Sequence, residues 1–286
     1  MATERVLLFV GAHPDDESFG PGGTLAAYAA KGMTVVYACA TRGEAGSVAP
    51  DELGEFATVG DKRWAELTCA AKELGLARVV WFGYRDSGMP GSPDNRHPQA
   101  LMSASPDEVT DAIVGVIRKE RPHVVITFDP IGSYRHPDHV IIHQATLRAF
   151  RLAGESTHLP DRDGSFTAQK LYYWVPSRRA LRLIVRVLRL LGRDPRRVGR
   201  NRDVDLGEIA SVDFPIHARI RVPRRAIARK RAATECHRSQ TGTATGQARW
   251  AWMASSCFGL TDGYMRAHPP ADVRTREVDL FEGVVA

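Results

Sequence analysis

Several features that would each declare a protein class are scarce in this sequence. Only four cysteines occur in 286 residues: Cys39, Cys69, Cys236 and Cys257, far apart and without a C-x-x-C pair. That spacing argues against a zinc–thiolate cluster or a disulfide framework, and for reduced, buried thiols. No apolar run approaches the ~18 residues of a membrane-spanning helix. The opening stretch, Met1 to Val10, is too short in apolar residues for a signal peptide, so a cytoplasmic location is expected. Repeats and low-complexity tracts are missing too. With 43% apolar and 25% charged residues, the chain is neither disordered, collagenous nor a coiled coil.

Acidic residues are scarce in one region only. The formal net charge is +6, yet Arg178 to Arg231 carries sixteen Arg and one Lys against five acids, a local +12 that leaves −6 for the remainder. A basic surface spread over the whole molecule is therefore not supported. No helix-turn-helix or zinc-finger pattern accompanies the basic stretch, so nucleic acid is not an expected partner.

What is present alternates between strand and helix signals. Apolar or β-branched runs predict strands at 5–10, 33–40, 78–82, 123–128 and 170–175. Helices are predicted at 23–31, 61–74, 105–119 and 137–151, with Ser105 as the N-cap of the third and Pro106 suited to its first position. This order implies an α/β fold: a Rossmann-like, mainly parallel sheet sandwiched by helices, with right-handed crossovers. We expect a single domain over 1–286, with a core at 1–175, a basic helical insertion at about 176–212, and C-terminal segments closing the site at about 213–286. Ligands of such sheets sit beyond the carboxyl ends of the strands, which selects the loops after Val10, Ala40, Phe82 and Phe128.

Two of those loops share a motif. The first is Ala12-His13-Pro14-Asp15-Asp16-Glu17, and the second is Tyr134-Arg135-His136-Pro137-Asp138-His139, followed by His143. One His and two adjacent carboxylates could meet the later histidines at a divalent metal. A hydrolytic zinc site wants three N/O ligands, an open position for water and a separate carboxylate as base. Adjacent aspartates suit that division, because neighbouring side chains diverge. The residues alone do not choose between His139 and His143, which lie four apart on one helix.

These paired motifs resemble the LmbE-like (PIG-L) family of zinc-dependent N-acetylglucosaminyl deacetylases, which also includes mycothiol conjugate amidases. Thr41-Arg42-Gly43-Glu44, the helix bearing Arg63 and Glu66, Arg85-Asp86-Ser87-Gly88-Met89, and Lys230 through His237-Arg238-Ser239-Gln240 are similar as well. The likeness is strong over about 5–150, returns near 225–245 and is weak over 178–215. It implies that His13, Asp16 and His139 ligate one Zn²⁺, with Fe²⁺ an alternative, and leaves His143 as core or outer support. It implies that Asp15 is the general base, that His136 steadies the tetrahedral intermediate or protonates the leaving amine, and that Tyr134 polarises the amide oxygen. Arg63, Asp86, Arg42, His237 and Gln240 are implied to contact substrate. Asp138 either orients an imidazole or caps its helix.

The expected activity is removal of an N-acetyl or other acyl group from an N-acetylglucosaminyl substrate, such as a mycothiol-type pseudodisaccharide or a glycosylated natural product. An amidase for larger amides and a non-enzymatic sugar- or membrane-binding module remain open. The module is disfavoured by the intact Asp15. A small-molecule or glycoside amide is thus the expected partner. In 181–193, Arg182, Arg186, Arg189 and Arg193 form one helical stripe opposite Leu, Ile and Val. An amphipathic helix packed on the protein body explains this best, a lid or contact in a homo-oligomer comes next, and a membrane surface is not favoured.

Overall fold

The computed structural model describes residues 5–160, 163–198, 204–241 and 261–285. Among these residues seven strands form one sheet: β1 (Val6–Gly11), β2 (Thr34–Thr41), β3 (Arg78–Tyr84), β4 (Val124–Phe128), β5 (Lys170–Val175), β6 (Ala218–Arg221) and β7 (Thr261–His268), in the order β3-β2-β1-β4-β5-β7-β6. The first five are parallel. β2 and β4 are buried along their whole length, and from Leu7 onward so is β1, which is why they read as continuous apolar runs instead of alternating ones.

Among the described residues are six longer helices: α1 (Gly22–Ala29), α2 (Val59–Leu74), α3 (Pro106–Glu120), α4 (Pro137–Leu152), α5 (Arg178–Leu190) and α6 (Arg224–Cys236). The chain steps from β1 outward to β3, then returns to β4 on the other side of β1. Right-handed crossovers therefore put helices on both faces. α6 packs along α2 and α1, while α3 and α4 pack together against β1 and β4. Local signals set several boundaries. The Thr58 hydroxyl accepts the Asp61 N–H at the start of α2, and Ser105 Oγ accepts the Glu108 N–H at the start of α3.

The predicted mainly parallel sheet is present, with two antiparallel strands at one edge. β7 runs against β5, and β6 against β7. Their sequences, Ala-Arg-Ile-Arg and Thr-Asp-Gly-Tyr-Met-Arg-Ala-His, are short, charged or glycine-broken, so they carry little strand signal of their own. The basic stretch contains α5. Val185 is buried and the helix packs against the short helix Leu206–Ser211, while Arg182, Arg186 and Arg189 face out. No helix among the described residues is long and apolar enough to cross a membrane.

One expectation is overturned. Cys69 on α2 and Cys236 at the end of α6 form a disulfide, with Cα atoms 5.9 Å apart at a sequence separation of 167. Packing of α6 on α2 creates the pairing, which no sequence spacing could show. Cys39 is a buried free thiol as expected, and Cys257 lies outside the described residues. Closing so long a loop constrains the unfolded chain. Cys69→Ala should therefore lower unfolding free energy by about 2–5 kcal/mol, and reductant should do the same to wild type in a urea titration. Indifference of the wild type to reductant would show the thiols to be unjoined.

Candidate metal centre

β1 lies between β2 and β4, and at the β1–β4 seam the chain's direction of travel across the sheet reverses. The crevice at such a seam is where open α/β sheets bind ligands. Each of the two His-Pro-Asp loops leaves one of these strands. After β1, Asp16 folds the loop back on itself: its Oδ2 accepts the backbone N–H groups of Ala12 (3.0 Å) and His13 (2.8 Å). Asp15 sits at φ 119°, ψ −24°, a backbone that L-residues rarely adopt. Its N–H is accepted by Glu17 Oε2 at 3.0 Å.

After β4, Asp129 Oδ1 accepts the N–H groups of Ile131 and Ser133, and Asp129 Oδ2 pairs with Arg178 of α5 at 3.1 Å. Gly132 has φ +64° and is pressed against α4, where a Cβ would come within 2.9 Å of His139 Cβ and the Val140 nitrogen. Only glycine fits there. The side chain of His136, not that of Asp138, caps α4: His136 Nδ1 accepts the Asp138 N–H at 3.2 Å. A neutral His136 therefore carries its proton on Nε2.

The two loops, joined by Asp86 from beyond β3, bring seven groups together. His13 Nδ1 and His139 Nε2 are 3.1 Å apart, and Asp16 Oδ1 is 3.3 Å from His139 Nε2. On its other side, His13 Nε2 meets Asp138 Oδ2 at 3.1 Å and Asp86 Oδ1 at 3.3 Å. His136 completes a cluster with His13 and His139, and a second with His13, Asp86 and Asp138. Tyr134 stands edge-on to His139, with ring centroids 4.9 Å apart. Asp138 therefore holds an imidazole and leaves the capping to His136. His143 points away, to the Phe128 carbonyl at 2.9 Å, which separates it from His139.

The electrostatics describe a pocket prepared for a cation. Burial drives His139 and His136 well below the usual imidazole range, so both are neutral; His139 Nε2 has a lone pair to offer, while that of His136 is spent on the Asp138 N–H. Burial also opposes charge on His13, but Asp86, Asp138 and Asp16 outweigh it and raise His13 well above its ordinary value. The carboxylates that would hold that proton would equally hold a divalent ion, and two buried nitrogens beside a carboxylate oxygen are suitable donors for one. Burial pushes Asp15 up to about 7, against the opposing pull of Arg63, and Asp16 to about 6. Burial would raise Asp86 as well, but His13 brings it far below its usual range, aided by His136 and Arg63. Tyr134 stays a phenol: burial first, then Asp16, Asp15 and Asp86, raise it well above its normal value.

The residues implied to touch substrate divide into three groups. Asp86 is in the cluster but occupied, bound to His13 and to the Gly88 N–H. Arg63 is 4% exposed and engaged through both terminal nitrogens: Nη1 donates to the Gly43 carbonyl, and Nη2 to the Pro14 carbonyl and to Asp15 Oδ2 at 2.9 Å. Gly43 admits it by having no Cβ, which would lie 2.0 Å from Nη1. Arg42 is not gathered in; it pairs with Asp61 and lies over the Trp81 ring at 4.1 Å. His237 is fully buried against Glu17 Oε1 at 2.7 Å, and Gln240 Nε2 donates to Ser239 Oγ. Sequence reasoning missed Glu17, Glu44 and Ser239. Glu44 Oε2 accepts the Asp86 N–H, and Ser239 is bound through both N–H and hydroxyl to Glu66. Each carried the same signal, by standing inside a segment that resembles the family: Glu17 in the first His-Pro-Asp motif, Glu44 after Gly43 and Ser239 after Arg238.

Comparison with known proteins places this geometry in context. A family profile described as PIG-L, GlcNAc-PI de-N-acetylase, matches residues 8–150. A 1D-myo-inositol 2-acetamido-2-deoxy-alpha-D-glucopyranoside deacetylase of Rhodococcus jostii is 36% identical over 99% of this chain and 99% of its own. A Rhodococcus opacus protein of the same name is 44% identical over 63% of this chain and 64% of its own. Among solved structures, the N,N'-diacetylchitobiose deacetylase of Pyrococcus horikoshii is similar with a TM-score of 0.63 at 18% identity, covering 92% of this chain and 84% of that one. At that identity the likeness shows the fold alone.

The raised aspartates have a measurable consequence. In chelator-treated protein the folded state keeps protons on Asp15 and Asp16 that the unfolded chain releases above about pH 4. These two groups therefore weaken the fold progressively as pH rises from about 4 through about 7. Asp15→Asn should raise the Tm of the stripped protein at pH 8 and leave it nearly unchanged at pH 4. A lower Tm for the variant at pH 8 would show that the Arg63 attraction outweighs burial.

Proposed function

This chain belongs to the PIG-L family, and on that premise we propose that it is a metal-dependent hydrolase that removes the acetyl group from an N-acetylglucosaminyl substrate. The first candidate is the 1D-myo-inositol 2-acetamido-2-deoxy-glucopyranoside processed by its relatives. One observation carries the reading: the donor atoms of His13, His139 and Asp16 converge while the Asp15 carboxylate is held beside them by Arg63. A binding module would need no such free carboxylate next to its ligands. We read the chain as one catalytic domain. In it, residues 176–198 and 204–212 stand beside the Tyr134 loop through the pairs Arg178–Asp129 and Arg135–Glu208 and select the aglycone.

In this proposal His13, Asp16 and His139 hold one zinc ion, and Fe²⁺ would suit the same donors. Bound there, the metal supplies Lewis acidity to the attacking water and the amide oxygen. Asp15 accepts a proton from that water as its oxygen attacks the acetamide carbon. The Tyr134 hydroxyl and His136 Nε2–H donate to the oxygen on which negative charge develops. Breaking the C–N bond requires a proton on nitrogen, which Asp15 delivers by passing on the one it took from the water, so that acetate and a free amine leave. A carboxylate that can both take and return a proton serves both halves of this exchange.

Purified protein should carry close to one zinc per chain, and Asp16→Ala should reduce that content. Asp15→Asn should keep the metal and lose at least ~10²-fold in kcat for amine release from N-acetylglucosaminyl-inositol. Wild-type turnover in the Asp15 variant would remove it as the base. Release of amine only from larger amides would replace the deacetylase reading with an amidase.

A further inference from the structure

The mechanism leaves one buried ionic pair unused. Glu17 and His237 are both fully buried, 2.7 Å apart, and 220 residues separate them in sequence. Glu17 Oε1 also accepts the Ser18 hydroxyl at 2.6 Å, and its Oε2 accepts the backbone N–H of Asp15 at 3.0 Å. Thus every described contact of this carboxylate either holds Asp15 or holds Glu17 itself in place. Asp15 is also the residue whose backbone is at φ 119°. Such a conformation persists at a non-glycine residue only where its surroundings over-determine it.

The surroundings come from one helix. α2 carries Arg63, which grips the Asp15 carboxylate, and Glu66, which binds the Ser239 N–H and hydroxyl. The turn that bears His237 and Ser239 is thereby docked on the helix that holds Asp15 at its other end. Cys236, next to His237, is joined to Cys69 of that helix. Asp15 is thus gripped at both ends, by Arg63 at the carboxylate and by Glu17 at the amide, and both grips trace back to α2.

We propose that the Glu17–His237 pair is a positioning device for Asp15: it holds the residue's left-handed backbone so that its carboxylate faces the metal centre. His237 in this reading is a brace and not a wall of the substrate pocket. The inference rests on Asp15 being the base. A carboxylate displaced by even an ångström loses its alignment with the attacking water, whereas substrate affinity and metal ligation do not pass through the Asp15 amide.

A double-mutant cycle on the zinc-loaded full chain tests this. Glu17→Ala and His237→Ala should each lower kcat by about tenfold or more, with KM within about twofold of wild type and zinc retained. Glu17→Gln, which keeps an acceptor for the Asp15 N–H, should recover most of the lost kcat. In an Asp15→Ala background the further effect of Glu17→Ala should shrink toward none, because the residue it positions is gone. A Glu17→Ala effect that persists undiminished in that background overturns the proposal, as does a loss expressed in KM or in zinc content. Should Glu17→Ala not fold, the same cycle run with His237→Ala decides by the same criterion. Full activity of Asp15→Ala alone would instead sink the base assignment, so the two failures are told apart.

Discussion

Phe9 lies opposite Ile126 in the parallel pairing of β1 and β4, and the metal centre depends on that register. The two strands end side by side, so the loops that leave them begin within reach of each other although 126 residues separate His13 from His139. A slip of one residue would turn each inward side chain of β4 to the opposite face and carry the second loop away from the first. Fully buried apolar side chains on both strands lock the register. The hydrophobic core therefore acts on the chemistry at one remove, by fixing where two polar loops start.

Charge balance imposes the second constraint. Asp15, Asp16, Glu17, Asp86 and Asp138 are gathered in a small volume, and four of the five are buried. So much negative charge out of water is costly unless compensated. Arg63 answers Asp15 and Asp86, His237 answers Glu17, and His13 answers Asp138 and Asp86. The remaining deficit falls at the His13–Asp16–His139 convergence. Burial raises Glu17 but His237 brings it below its ordinary value, and Glu17 in turn raises His237, so both remain charged. The far side of the loop is thereby neutralised without drawing on groups that face the crevice.

Local information in the sequence was enough for much of this. Four of the parallel strands were legible because buried parallel strands are mostly apolar runs, the exposed edge strand β3 by its Val-Val-Trp-Phe run, and α3 because Ser105-Pro106-Asp107-Glu108 is a strong helix start. The two His-Pro-Asp loops were legible because each is contiguous and follows a strand. Pairings between distant segments were not legible. Cys69 and Cys236 looked unpaired, since their proximity arises from α6 lying on α2. His237 looked like a pocket residue because its motif is visible while its partner Glu17 stands 220 positions earlier. Arg63 and Arg42 had equal claims to the substrate. Their difference comes from Gly43, whose missing side chain lets Arg63 reach inward while Arg42 rests on Trp81. For the antiparallel edge, β6 and β7 gain their strand character from β5 and not from their own composition.

The turn at His237 to Ser239 also bears on the order in which the chain is made. The segment that matches the family profile ends at residue 150, and by then a ribosome has already produced both His-Pro-Asp loops and Arg63. Until α6 emerges, Glu17 is a carboxylate without its counter-ion and Glu66 lacks Ser239. The ligand set is thus written early and its bracing late. A centre with every donor atom present becomes fully supported only as a property of the finished chain.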